Sequence, residues 1–255
     1  RGQSPAHRSR TRGHPTAKKT PQPMQNWSQS ALNDSHSGIL ADLQGRRNLL
    51  VTFGGVRQGL GTPVFEFYNS IADLDCDKLY IRDFHQAWYQ KGVDDQIDSQ
   101  EKLLDFLSQT LQQHPYQRSC FIGNSMGGYA ALLFGCLLNV DSALAFAPQS
   151  FIGPWHRRWY RDRRWPEPIR NVHQHGRTPQ WDLARFLRKQ PYRTRLHAYY
   201  SSLDRLDRRH ALRLRKLHHM QLHPLPIEGH RVVRTLRDDG RLYTILASLL
   251  RTDQS

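Results

Sequence analysis

The stretch that decides the fold is Ser119-Cys120-Phe121-Ile122-Gly123-Asn124-Ser125-Met126-Gly127-Gly128-Tyr129-Ala130-Ala131. It runs as an apolar strand, an abrupt turn and the small-residue start of a helix. At the turn, Gly123-Asn124-Ser125-Met126-Gly127 spells G-x-S-x-G, in the strand–turn–helix setting where that pattern presents a nucleophilic serine. So tight a turn forces its central residue into strained backbone, and glycines two before and two after it remove side chains that would collide. Ser125 is expected to stand clear of a sheet, at a helix N-terminus whose unbonded N–H groups favour negative charge.

Upstream, Asn48-Leu49-Leu50-Val51-Thr52-Phe53 reads as the first core strand, ending in the glycine-rich run Gly54-Gly55-Val56-Arg57-Gln58-Gly59-Leu60-Gly61. Beside a reactive serine, such a loop supplies the second backbone donor to an oxyanion. The first is the N–H of Met126, and Gly55, followed by Val56, is the candidate for the second. Residues 64–71 are ambiguous between strand and helix. Lys78-Leu79-Tyr80-Ile81-Arg82-Asp83-Phe84 is a second strand, and it places Asp83, Trp88 and Tyr89 at the sheet edge where α/β proteins bind ligands. Asp83 and Trp88 are candidate substrate contacts, with packing beneath a loop the alternative. Asp98-Ser99-Gln100-Glu101 carries a capping-box pattern ahead of Leu103, Leu104, Leu107 and Leu111.

Downstream, residues 142–148 form a short apolar strand, and the strand–helix alternation predicts an α/β fold: a mostly parallel central sheet flanked by helices. Residues 149–190 break that pattern. Trp155-His156-Arg157-Arg158-Trp159-Tyr160-Arg161-Asp162-Arg163-Arg164-Trp165 is too polar for a core and too aromatic for a linker. It reads as a cap insertion in which Trp155 and Trp159 are candidate substrate contacts, suited to an anionic or sugar-containing acyl substrate. His173 and His175 have no third ligand at metal spacing, so no metal site is expected.

The last strands are Arg195-Leu196-His197-Ala198-Tyr199-Tyr200-Ser201-Ser202 and the proline-containing 220–227, an expected edge. Asp204 and Asp207 follow the first, and Gly229-His230 follows the second. Leu242, Ile245, Leu246, Leu249 and Leu250 then mark an amphipathic C-terminal helix. Acyl transfer by serine needs a base and a carboxylate that orients it, in the chain order Ser, acid, His on this architecture. Ser125, Asp204 and His230 satisfy that order, each just beyond an apolar strand. Asp207 is the alternative acid, set second because it reads as the N-cap of the following helix.

Over about residues 47–252 these features resemble the α/β-hydrolase superfamily: the Phe53-Gly54-Gly55 loop, the Gly123–Gly127 turn, the acid after the penultimate strand, and Gly229-His230. The resemblance implies an eight-stranded sheet lacking its first strand or two, and a serine hydrolase cleaving an ester or thioester without a cofactor. The same site would serve an acyltransferase. Phe53 departs from the histidine that many members carry there. The run from Asn124 to Leu132 resembles small bacterial serine hydrolases, some of them tied to surface polysaccharide or secondary metabolism.

The chain of 255 residues carries a net charge of +15 and three cysteines. The cysteines form no disulfide or zinc pattern. Six of the basic residues fall in residues 1–20, which hold no acid, and residues 1–38 read as a disordered basic tail ahead of a single domain at 39–255. The charge admits a catalytically silent α/β-hydrolase-fold protein that binds an anionic polymer, although no dedicated nucleic-acid motif is present. With no long apolar run and no signal-peptide pattern, a cytoplasmic location is expected.

Overall fold

The computed structural model describes residues 36–56, 64–174 and 178–251. The expected basic tail lies outside these except for its last three residues, as do Arg57 to Gly61 of the glycine-rich run and His175.

Seven strands form one sheet in the order β1-β3-β2-β4-β5-β6-β7. They are β1 (Ile39–Asp42), β2 (Asn48–Phe53), β3 (Asp77–Ile81), β4 (Arg118–Asn124), β5 (Ser142–Phe146), β6 (Arg195–Ser201) and β7 (Met220–Leu225). Only β1 runs antiparallel, against β3. The sheet is mostly parallel and covered on both faces, the architecture of the α/β-hydrolase fold. Register puts Phe53 beside Gly123, and Asn124 and Tyr199 on either side of Phe146, so the loops leaving β2, β4, β5 and β6 share one edge.

Two-residue alternation divides each strand between two cores. Leu49, Val51, Phe53, Leu79, Ile81 and Phe121 face α1 (Gln100–Gln113) and α2 (Met126–Leu138). Leu40, Leu50, Tyr80, Cys120, Ile122 and Phe146 face α7 (Val232–Asp238) and α8 (Arg241–Leu250). Helix α2 is buried from Met126 through Cys136. Its glycines allow that closeness: Gly128 lies over Ala145 and Gly135 over Ala143. Ser99 caps α1 by accepting from Lys102 N at 3.2 Å, as the capping pattern requires.

Several elements differ from expectation. Strand β1 is too short to carry a periodicity, and residues 64–71 are a set of turns anchored by buried Phe65, Phe67 and Ile71. The C-terminal helix forms as expected over Arg241–Leu250, and a short helix not read from the sequence, Val232–Asp238, precedes it across Gly240, whose φ is 77°. The cap comprises α3 (Pro154–Tyr160), α4 (Pro166–His173), a 3-10 turn (Pro179–Trp181) and α5 (Leu183–Leu187). Strand β6 leads into α6 (Arg205–Leu214), and β7 is an edge strand that contains Pro224. All three cysteines are buried free thiols, and burial raises Cys76 to about 11 and Cys120 and Cys136 to about 12. No described helix is long and apolar enough to cross a membrane.

Candidate active site

Ser125 sits between β4 and α2 with φ 55° and ψ −112°, a region that L-residues enter only under constraint, at a cost of about 1–3 kcal/mol. The constraint is visible. Its N–H donates to Phe146 O at 2.8 Å, and its carbonyl accepts from Tyr129 N at 3.1 Å. The flanking glycines are sterically required: a Cβ on Gly123 would strike the Gly127 carbonyl, and one on Gly127 would strike that of Phe53. Ser125 is 4% exposed, and its Oγ has no hydrogen-bond partner among the described residues.

His230 follows Gly229, whose φ of 67° turns the chain back toward the sheet and whose carbonyl accepts from Ser201 Oγ at 2.6 Å. Its Nδ1 lies 2.8 and 3.0 Å from the two carboxylate oxygens of Asp207. A carboxylate can only accept, so Nδ1 carries the proton and Nε2 presents a lone pair. Nε2 is buried and, like Ser125 Oγ, has no partner among the described residues. No hydrogen bond joins the two atoms; such bonds often tighten only once substrate is bound.

The two aspartates have the hydrogen-bond partners expected of each other. Asp204 is the N-cap of α6, accepting from Leu206 N at 2.9 Å and Asp207 N at 2.8 Å, and it makes no contact with His230. Asp207, 2% exposed in the first turn of α6, is the carboxylate that meets the imidazole. One turn of helix swings residue 207 toward β7, whereas residue 204 is held at the helix end by its own backbone bonds.

Asp207 also accepts from Arg164 NH1 at 2.8 Å. Arg164 comes from the cap and simultaneously binds Asp162 through Nε at 3.1 Å and NH2 at 3.0 Å. Burial pushes Asp162 upward, but hydrogen bonds from His210 and Arg164, with the charge of Arg164, outweigh it and hold Asp162 well below the usual carboxylate range. His210 is buried; desolvation lowers it to about 4 against its bond to Asp162, so it is neutral, accepting from Ser150 N at Nδ1. Trp165 sets its ring edge-on to His230 at 5.3 Å.

The Met126 N–H, first in α2, makes no hydrogen bond to a described residue, and neither does that of Val56. The Gly55 backbone, the expected donor, lies against the Glu66 carboxyl: a Cβ built on it would sit 3.5 Å from Oε1. Val56, the next N–H along, is the neighbouring candidate for the second donor.

The expected substrate contacts divide into buried and exposed residues. Trp88 is fully buried, donating from Nε1 to Gln149 Oε1 at 2.7 Å. Asp83 is buried, with Oδ2 holding Ala87 N at 2.7 Å and Tyr89 N at 3.0 Å; these bonds stabilise the positive φ of Trp88 and Tyr89. Tyr89 then donates to Gly54 O at 2.8 Å, bracing the glycine loop from below. Trp155 and Trp159, four residues apart on α3, are each 73% exposed and point to solvent. Trp165, at the end of the same aromatic run, is the tryptophan that reaches the histidine. His173 Nε2 lies 2.8 Å from Ile152 O, and no cluster that could hold a metal occurs among the described residues.

No protein-family model and no curated protein matches the sequence. Solved structures do match the fold. The capsule O-acetyltransferase of Neisseria meningitidis serogroup A superposes with a TM-score of 0.63 at 13% identity, over 88% of this chain and 99% of that one. MGS-M2, an α/β hydrolase from a Medee basin deep-sea metagenome library, gives 0.58 at 13% identity, over 85% of this chain and 94% of that one. The Gap123 glycosylation-associated complex of Streptococcus agalactiae gives 0.62 at 17% identity, over 85% of this chain and 44% of that one. The chain has the α/β-hydrolase fold.

Proposed function

We propose that the protein is a serine hydrolase that cleaves an ester or thioester through an acyl-enzyme. Ser125 is the nucleophile, His230 the base and then the acid, and Asp207 the carboxylate that orients and charge-stabilises the imidazole. Two observations support this reading: a strained serine hydroxyl without a described partner, and an imidazole whose Nδ1 is held by a buried carboxylate and whose Nε2 has no described partner. Nε2 takes the hydroxyl proton as Oγ attacks the carbonyl carbon. The oxyanion is met by the N–H groups of Met126 and Val56, and the proton is then delivered to the leaving oxygen or sulfur. Water repeats the cycle on the acyl-enzyme.

A second reading keeps these atoms and replaces water with a hydroxyl acceptor. The likeness to an O-acetyltransferase over nearly its full length favours it. A fluorophosphonate probe tests both: it should label the wild type and not Ser125→Ala, and folded wild type that stays unlabelled refutes them. Adding acceptor alcohols or sugars then separates the two, because only transfer diverts product from the free acid. An acyl chain-length series of p-nitrophenyl and thioester substrates would define the donor.

A further inference from the structure

Glu66 lies in the turns between β2 and β3, outside every motif, with its carboxyl buried against the catalytic floor. Its Oε1 accepts from Asn124 Nδ2 at 3.3 Å, and the Gly55 backbone lies against the same carboxyl. Gly55 in turn abuts the nucleophile: a Cβ built on it would lie 3.5 Å from both Glu66 Oε1 and Ser125 Cβ. Glu66 Oε2 is buried and has no partner among the described residues. A carboxylate with one oxygen bare and buried is costly, whereas a neutral acid is tolerated. Burial accordingly raises Glu66 to about 7, against the Asn124 hydrogen bond, the adjoining Gly55 backbone and a weaker pull from His230. The titratable groups that face it are His230 and the Tyr89 hydroxyl, itself kept neutral by burial.

We propose that Glu66 is a positioning residue for acyl transfer that works as a neutral acid, Oε1 fixing Gly55 and Asn124 around Ser125 while the proton stays on Oε2. This rests on the serine-hydrolase reading and adds to it a residue and a proton state. An ionised Glu66 would set a negative charge beside the place where the substrate oxygen becomes an oxyanion. His230 in turn favours the ionised carboxyl, but less than burial disfavours it.

The test is the rate of fluorophosphonate labelling from pH 5.5 to 9 in wild type and Glu66→Gln, checked against p-nitrophenyl acetate turnover. Glutamine keeps an acceptor for Asn124 and cannot ionise. The variant should match wild type within about threefold at pH 6. Its advantage should then grow about tenfold between pH 6 and pH 8, the change in neutral fraction of an acid titrating near 7. A ratio that stays constant with pH overturns the proposal, because a purely structural role scales the rate equally at every pH. Should the variant fail to fold, a wild-type labelling rate that does not fall from pH 7 to 9 overturns it alone. Labelling with a flat ratio removes Glu66 and leaves the hydrolase standing; folded wild type without labelling removes both.

Discussion

Exchanging the two aspartates one at a time separates catalysis from folding within one helical turn. Asp207→Asn keeps the shape but removes the charge held 2.8 Å from His230 Nδ1. Charges about 4 Å apart interact by about 332/(20 × 4), or about 4 kcal/mol, at an effective dielectric near 20. Arg164, bonded to the same carboxylate oxygen, already offsets part of this. The asparagine can also select the wrong imidazole tautomer, so kcat/KM should fall by about 10³ to 10⁴. The fold should survive, because Arg164 keeps Asp162 as its partner. Asp204→Ala should do the reverse. It removes a cap that serves two N–H groups, costing about 1 kcal/mol of stability while leaving kcat/KM within about threefold. Urea unfolding and p-nitrophenyl ester kinetics on both variants decide the matter. A folded Asp204→Ala that loses a hundredfold in rate, or an Asp207→Asn within tenfold of wild type, refutes the assignment.

Arg164→Met leaves Asp162 and Asp207 buried without their shared cation and should lower unfolding free energy by about 3–5 kcal/mol in urea titrations. Glu66 also links stability to pH. The folded chain holds its proton up to about 7 and the unfolded chain only to 4.5, so wild-type stability falls as pH rises through that window. At 1.36 kcal/mol per unit the difference is at most about 3 kcal/mol. Glu66→Gln should therefore gain up to that amount over wild type at pH 8 and gain nothing at pH 4, as read from urea midpoints.

The strands around Ser125 were legible because a parallel sheet buried on both faces demands short, continuous apolar runs, and β2, β4 and β5 are such runs. The strained serine was legible because the glycines it requires lie at fixed spacing. The acid was not. Both Asp204 and Asp207 stand where a helix begins, and capping chemistry suits either; only the direction in which α6 leaves β6 decides which carboxylate meets β7. Asp83 and Trp88 were placed at the right edge of the sheet but turned inward, because side-chain direction in a loop of positive-φ residues follows no period. Trp155 and Trp159 share the outer face of a helix less than two turns long, whereas Trp165 begins the next helix, and no composition marks that break. Glu66 and Arg164 gave no signal at all, since each matters through partners 58 and 43 residues away.

Arg164 also ties the cap to the first turn of α6. Lifting the loop that carries it would strip a guanidinium from two inward-facing acids at once, one of them the partner of His230. The cap loop and the carboxylate behind the imidazole are thus fastened through one side chain, and a change that loosens either should be felt by both.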